Sequence, residues 1–358
     1  MSIGFHELKV AGVRPEINGA VSLALEVPPE LRCSFRFEAG QHLTLRAEID
    51  GEEVRRNYSL CAAPHENEWR VAIKRVPGGL FSDWANTVLR RGDTILAMPP
   101  HGSFTWHFDP SRSAHYVAFA AGSGITPILS LIKTALMVEP QSRITLIYGN
   151  RDSSSILFLE ELSAIKDKFI ERFQMFNFLS AEDEEVELFN GRLDSAKIAE
   201  VLEELIDSTS IDAAFICGPG PMMDAAEAVL IAAGVAKDHI LVERFTVGPM
   251  TREQAERAAE LERAAAGHQV EVTLNGRRRR VAFDPSKGSI LDNARAAGMP
   301  APFACKSGVC STCRAKVVSG RVEMKANYGL SETEVAEGYV LTCQAVPLSD
   351  DVSVDYDR

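Results

Sequence analysis

Four cysteines constrain this chain more than anything else in it. Cys305, Cys310 and Cys313 are spaced C-x4-C-x2-C, and Cys343 stands alone about thirty residues further on. That spacing holds a [2Fe–2S] cluster. A two-iron cluster takes four thiolates, two per iron. Three come from one tight loop and the fourth from a distant segment, so the chain closes around both ends. Gly308, with the small Ser307, Ser311 and Thr312, suits a loop that turns its N–H groups inward toward sulfide. Zinc and a disulfide pair are the alternatives. Zinc sites bring two separated C-x2-C pairs, or histidines, and this stretch has neither.

At 358 residues the chain is too long for one ordinary core, so two or three domains are expected. The formal net charge of −12 argues against a nucleic-acid partner. No apolar run reaches the length of a membrane span, and the first ten residues lack the basic and apolar segments of a secretory leader. Cys33, Cys61 and Cys217 follow no pattern, which points to a reducing, cytoplasmic setting rather than a disulfide framework.

Residues 1–108 alternate with period two between Gly, Pro and Asp punctuation, as in Val21–Val27, His42–Ala47 and Trp69–Lys74. Such short strands predict a small antiparallel β-barrel. Arg56-Asn57-Tyr58-Ser59 places a cation, a ring and a hydroxyl on one strand. Together they can neutralise a pyrophosphate, lie against a flavin and hydrogen-bond near its reactive nitrogen. Alone, the stretch also reads as an ordinary strand. Ile73 and Lys74 end a later strand, and Gly78-Gly79-Leu80-Phe81-Ser82 then opens a helix predicted over 81–89. Bare N–H groups at a helix start suit a phosphate; a simple loop is the alternative.

From residue 109 to 246 the pattern becomes alternating strand and helix, predicting a parallel α/β sheet. The apolar run Tyr116–Ala120 leads into Gly122-Ser123-Gly124-Ile125-Thr126-Pro127 and a helix predicted from Ile128 to about Val138. The two glycines let the backbone approach a pyrophosphate, although Pro127 stands where a third glycine would complete G-x-G-x-x-G. A second strand, Ile144–Arg151, ends at Asn150 and Arg151, where a ribose would lie. Arg151 with Ser153–Ser155, rather than an acid closing the strand, favours NADPH over NADH. A third strand, Ala213–Cys217, runs into Gly218-Pro219 and a helix containing Met222. Its end is where ligands bind in such sheets, although a buried cysteine is more often a small core residue. Ile240–Phe245 makes a last strand, and the acidic run Glu182–Glu187 reads as a solvated loop.

Residues 247–267 read as a polar helical linker, with a turn at Gly248-Pro249. Residues 268–358 begin with a strand, an Asn275-Gly276 hairpin turn and four consecutive arginines, Arg277–Arg280. These are either an exposed strand or a docking patch. A helix is predicted over Ser289–Ala297, ahead of the cysteine loop.

These motifs carry a resemblance over essentially the whole chain. Arg56–Ser59, Gly78–Ser82, Gly122–Pro127 and Cys217-Gly218-Pro219 resemble the ferredoxin-NADP reductase superfamily. Residues 268–358, with Glu337–Cys343, resemble a plant-type ferredoxin. The order flavin, nicotinamide, ferredoxin is that of one group of multicomponent oxygenase reductases. Softer likenesses at Tyr148–Arg151, Ile240–Phe245, Asn327-Tyr328 and Gly338–Leu341 resemble the reductases of phenylacetyl-CoA epoxygenases, which serve phenylacetate degradation. The resemblance implies a barrel binding FAD, an α/β domain binding NADPH (NADH being the alternative) and an α+β β-grasp domain holding a [2Fe–2S] cluster. It implies a di-iron oxygenase as electron acceptor. It places Ser59 near the flavin and Cys217 near the nicotinamide, with Glu243 as a further contributor. It assigns Cys305 and Cys310 to one iron and Cys313 and Cys343 to the other. Such a chain would take two electrons as hydride and release them singly, and the linker would let the ferredoxin domain move. A reductase serving another aromatic-ring oxygenase or hydroxylase is the nearest rival. A non-catalytic redox-sensing iron–sulfur protein would not need intact flavin and nicotinamide motifs, and a self-sufficient oxygenase would need a further domain.

Overall fold

A computed structural model describes residues 4–17, 19–245 and 252–358. The Gly248-Pro249 turn lies outside the described residues. The chain divides into two compact units. One comprises residues 5–100 and 104–244; the other comprises 245–358 with 101–103 and the chain start.

The first unit opens with an antiparallel six-stranded sheet. Its strands are β1 (His6–Glu16), β2 (Ala20–Glu26), β3 (His42–Ile49), β4 (Glu52–Ser59), β5 (Trp69–Lys74) and β6 (Thr94–Ala97), in the order β4-β3-β6-β1-β2-β5. The edges meet through a bridge between Leu60 and Val71, which closes the barrel. The period-two pattern is visible in β1, where Leu8 and Val10 are buried between exposed Glu7, Lys9 and Ala11. Helix α1 (Leu80–Thr87) plugs the barrel, its Phe81 ring 5.6 Å from Tyr58 and 5.5 Å from Trp84.

The same unit continues into a parallel sheet of β7 (His115–Ala121), β8 (Arg143–Asn150), β9 (Phe173–Leu179), β10 (Ala213–Cys217) and β11 (Ile240–Glu243), ordered β11-β10-β7-β8-β9. Helices α2 (Ile125–Val138), α3 (Leu159–Lys168), α4 (Ser195–Leu205) and α5 (Gly220–Ala232) connect its strands. Strand order reverses between β7 and β10, so the crevice for a ligand lies at the C-terminal ends of those two strands. Helix α2 starts three residues before the predicted Ile128. Pro127 is tolerated in its first turn because an N–H there has no intrahelical acceptor. The last strand ends at Glu243, two residues short of the predicted Phe245.

The barrel and the parallel sheet share one core. Cys61, Ala72 and Phe104 pack in the same cluster as Tyr116, Leu129 and Phe215. Polar links lock the seam. Arg70 on β5, 7% exposed, donates to both carboxylate oxygens of Glu161 on α3 at 3.0 and 2.7 Å. Lys133 on α2 ion-pairs with the same Glu161 and donates to Glu66 at 3.0 Å. Ser130 Oγ donates to the Ala62 carbonyl at 2.7 Å.

The second unit contains helix α6 (Arg252–Ala264). Its Leu261, with Ala265 just beyond the helix, joins the core of the sheet that comes after it. This mixed sheet of β12 (Gln269–Leu274), β13 (Arg277–Ala282), β14 (Arg314–Ser319), β16 (Tyr339–Leu341) and β18 (Val352–Asp355) is ordered β13-β12-β18-β14-β16. β15 (Val322–Met324) and β17 (Ala345–Pro347) pair separately. Helices α7 (Ile290–Ala296) and α8 (Glu332–Ala336) complete the unit. Asn275 and Gly276 both take positive φ, 51° and 71°, as a two-residue hairpin turn requires. Arg277–Arg280 form the exposed edge strand, where charge discourages strand addition. The molecule therefore has an antiparallel barrel, a parallel α/β domain and a small α+β β-grasp domain.

Removing one partner of a buried ion pair strands the other. Arg70→Ala is expected to lower the unfolding free energy by roughly 3 kcal/mol, read as a shift in urea midpoint.

Candidate functional site

Ser59 ends β4 and pairs across the sheet with His42, the first residue of β3. Its hydroxyl is buried and has no hydrogen-bond partner. The His42 Nδ1 atom lies 3.9 Å from Glu243 Oε1 at the end of β11. Glu243 in turn sits beside Cys217 in the parallel register, and Cys217 beside Ala120. The barrel thus delivers Ser59 and His42, and the sheet delivers Cys217 and Glu243, to one seam. Burial pushes the Glu243 carboxyl up to about 8. The Cys217 thiol is raised by burial first and by Glu243 second. Ser59, Cys217 and Glu243 are therefore uncharged at neutral pH.

The remaining barrel residues cluster nearby on β4, β5 and the loop before α1. Tyr58 is half-buried against Phe81; burial raises its phenol, and the Arg56 cation partly offsets this. Arg56 is exposed and donates to the Arg55 carbonyl at 2.7 Å. Asn57 Oδ1 accepts from Thr44 Oγ1 at 2.8 Å. Ile73 and Phe81 are core residues, buried at 0% and 1% exposure, so only their backbone can face a ligand. Lys74 Nζ stands 3.9 Å from where a Cβ on Gly122 would be, beside the first glycine of the α/β loop. Gly78 has φ +73° and open space around it. Gly79 caps α1 with no side-chain hydrogen bond, so the N–H at Leu80 is left for a ligand. Ser82 does not join them. Its hydroxyl accepts the Val76 N–H at 3.1 Å and donates to the Gly79 carbonyl at 3.0 Å, stapling the turn.

On the sheet side, Gly124 lies so close to the next loop that a Cβ there would meet the Cys217 carbonyl oxygen at 2.1 Å. Only glycine fits. Gly218 is similarly enclosed by Met222 and Ala121, and Pro219 beside it is exposed. Thr126 Oγ1 donates to the Ser123 carbonyl at 3.0 Å, and Tyr148 OH to the Gly122 carbonyl at 3.0 Å; both hold the loop's shape. Pro127 is buried in α2. Asn150 at the end of β8 has a buried side-chain nitrogen without a partner. Arg151 beside it is exposed. The three serines after it are engaged. Ser153 donates to Glu182, Ser154 to the Asp152 carboxylate and Ser155 to the Asp152 carbonyl.

In the second unit all four cluster cysteines are free thiols. Hydrogen bonds from Cys310 and then Cys343 hold Cys305 well below the usual thiol range, and one from Cys343 lowers Cys313. The four thiols therefore adjoin one another, Cys305 beside both Cys310 and Cys343, and Cys343 beside Cys313 as well. Lys306, Gly308 and Ser311 take positive φ, a strained path for the two non-glycines. It turns the N–H of Ser307 to Cys305 Sγ at 3.3 Å and that of Cys305 to Cys310 Sγ at 3.5 Å. The distant arm is braced too. Thr342 Oγ1 donates to the Cys313 carbonyl at 2.8 Å, Tyr356 OH to Thr342 Oγ1 at 2.7 Å, and Gln344 to the Lys306 carbonyl at 2.8 Å. Among the described residues no three metal-ligating side chains converge on a single-ion position; a cluster with two thiolates per iron does not ask for one.

The residues present fit the three groups. A buried unpartnered hydroxyl at Ser59 and an uncapped helix start suit a flavin. The Gly124 approach and the unpartnered Asn150 amide suit a dinucleotide, and the four adjoining thiols suit a [2Fe–2S] cluster. Sequence reasoning missed His42, whose only signal is its pairing opposite Ser59, and the braces Tyr148, Thr342 and Tyr356.

Comparison with known proteins agrees. "Oxidoreductase FAD-binding domain" matches residues 19–106, "Oxidoreductase NAD-binding domain" 119–228, and "2Fe-2S iron-sulfur cluster binding domain" 272–348. The chain is 44% identical over 353 residues to one component of the 1,2-phenylacetyl-CoA epoxidase of Escherichia coli strain K12, covering 99% of this chain and 98% of that one. It is 34% identical to the ferredoxin reductase component of 3-ketosteroid-9-alpha-monooxygenase of Rhodococcus rhodochrous, covering 98% and 96%. Its fold matches an intact type IV self-sufficient cytochrome P450 monooxygenase with a TM-score of 0.70 at 22% identity. There it covers 98% of this chain but spans only 41% of the other's length. No helix among the described residues is long and apolar enough to cross a membrane.

The raised Glu243 carboxyl has a measurable sign. A native pKa of about 8 against an ordinary 4.5 means the folded state holds the proton longer than the unfolded one. Its contribution is fully present below pH 4.5 and is lost as pH rises toward 8. The stability of the wild type relative to Glu243→Gln should fall over that window, measured by denaturant titration of both proteins at pH 5, 6, 7 and 8.

Proposed function

The chain belongs to the ferredoxin-NADP reductase superfamily, in the group with a C-terminal [2Fe–2S] domain, and on that premise we propose that it carries electrons from NADPH to a di-iron oxygenase acting on phenylacetyl-CoA. It is an NAD(P)H-dependent FAD and [2Fe–2S] oxidoreductase. The observation that carries the choice of partner is the end-to-end 44% identity with the E. coli epoxidase component. That role places the chain in phenylacetate degradation in the cytoplasm. Flavin and nicotinamide domains are assigned to 1–108 and 109–246, with a linker at 247–267 before a ferredoxin domain at 268–358.

Bound in these sites, FAD and the cluster supply the conversion of one hydride into two single electrons. The protein's part is placement. Arg56, Tyr58, Lys74 and the Gly78-Gly79 turn would hold the flavin, with the N–H at Leu80 available to its phosphate. Gly122, Ser123, Gly124, Gly218 and Pro219 line the nucleotide path, and Asn150 and Arg151 meet the ribose end. Ser59 offers its unpartnered hydroxyl to the flavin. Cys217 and Glu243, both uncharged, wall the crevice without a charge that would attract water or oppose a negatively charged hydride. Cys305, Cys310, Cys313 and Cys343 would hold the cluster, by the resemblance Cys305 with Cys310 on one iron and Cys313 with Cys343 on the other.

A reductase for another oxygenase is supported by the 34% likeness to the 3-ketosteroid-9-alpha-monooxygenase component, among other oxygenase reductases. The test is reconstitution. The purified protein should show flavin and iron–sulfur absorption and oxidise NADPH with ferricyanide. It should drive product formation when mixed with a phenylacetyl-CoA epoxygenase but not with a steroid hydroxylase. A coloured protein unable to reduce ferricyanide would sink the reductase reading, and equal support of both oxygenases would sink the choice of partner. Cys343→Ala should keep its flavin and NADPH-dependent ferricyanide reduction. It should lose more than about 90% of oxygenase-coupled turnover, because only the one-electron exit is broken.

A further inference from the structure

The ribose end of the crevice already contains an anion, and the protein supplies it. Beyond Leu179 the chain stays alongside β8, with the Ser180 N–H donating to the Asn150 carbonyl at 3.1 Å and the Ala181 N–H to the Arg151 carbonyl at 2.7 Å. This pairing sets Glu182 beside Ser153. Its carboxylate accepts the Ser153 N–H at 2.6 Å and the Ser153 hydroxyl at 3.1 Å. A backbone N–H and a hydroxyl are the donors a phosphate takes. The other two hydroxyls of the turn are held by Asp152, so Ser153 and the exposed Arg151 are the donors left for an anion here.

We propose that Glu182 is a built-in competitor for the 2′-phosphate of NADPH, and that it sets the preference between NADPH and NADH. The inference rests on reading the crevice as the dinucleotide site. With Glu182 seated on Ser153, the carboxylate can accept a hydrogen bond from the free 2′-hydroxyl of NADH. A 2′-phosphate carries nearly two negative charges and cannot share Ser153 with it. Glu182 must swing out, and Ser153 and Arg151 then take the phosphate. Glu182 is exposed, so its departure buries no charge. The rest of the acidic run stays close, because Asn190 accepts the Glu184 N–H at 2.6 Å and donates back to the Glu184 carbonyl at 3.0 Å. Asp183, Glu184 and Glu185 thus add to the same negative field, which Arg151 opposes.

The test uses the full-length flavin- and cluster-loaded protein and needs no turnover. Binding of 2′,5′-ADP, which carries the 2′-phosphate, and of ADP, which does not, is measured by calorimetry for wild type, Glu182→Gln and Arg151→Ala. Glu182→Gln should tighten 2′,5′-ADP by roughly 3–10-fold, the scale of one charge-assisted contact, and change ADP by less than about twofold. Arg151→Ala should weaken 2′,5′-ADP about tenfold. In ferricyanide assays the KM for NADPH should fall in Glu182→Gln while kcat holds, a split that a folding defect would not give. If Arg151→Ala weakens 2′,5′-ADP but Glu182→Gln leaves it unchanged or weaker, the phosphate binds here and the competitor is refuted. If neither variant alters either ligand, the placement of the ribose end fails and the inference fails with it.

Discussion

Ser59, His42, Cys217 and Glu243 meet on a seam that Arg70 helps to hold. Ser59 and His42 belong to a barrel; Cys217 and Glu243 belong to a separate parallel sheet. Neither half contains the site. They meet because Arg70, Glu161, Lys133 and Glu66 form a largely buried network across the junction, over a core that both halves share. A buried pair of this kind adds little net stability over an apolar replacement. What it adds is direction. Two apolar faces can slide past one another, whereas a guanidinium gripping both oxygens of a carboxylate fixes angle and register together.

The sequence was most legible where chemistry demands a fixed local pattern. The C-x4-C-x2-C spacing with a distant fourth cysteine announced four adjoining thiols, because it is the pattern of a plant-type two-iron site. Gly124 was legible for a similar reason: the backbone of the neighbouring loop occupies the space of its Cβ. Legibility failed where a side chain had two plausible partners. Ser154 and Ser155 read as phosphate donors alongside Ser153, yet their hydroxyls are held by Asp152. A hydroxyl's partner is chosen by a few tenths of an ångström, and no sequence period encodes that. Arg70 and Glu161 were invisible for a different reason. They lie ninety-one positions apart, and nothing local marks either as one half of a pair.

The crevice is also defined by the charges it lacks. A carboxyl, a thiol and a hydroxyl meet there, and burial keeps the two acidic groups protonated near neutral pH. The ribose end is the opposite, open to solvent and crowded with formal charge from Arg151, Asp152 and the acidic loop. One nucleotide would therefore span two electrical settings, a dry neutral one for the reacting ring and a wet charged one for recognition. Separating the two lets selectivity change at Glu182 without disturbing Cys217.

The brace from Tyr356 through Thr342 to the Cys313 carbonyl bears on the timing of biosynthesis. Three thiols leave the ribosome together, and the fourth emerges about thirty residues later, with its supporting tyrosine later still. Until Tyr356 has emerged and docked, the pocket for the metal is an open loop. Iron and sulfide delivered earlier would meet three cysteines and no fourth ligand. The order of residues along the chain thus puts completion of the four-thiol pocket after the loop that begins it.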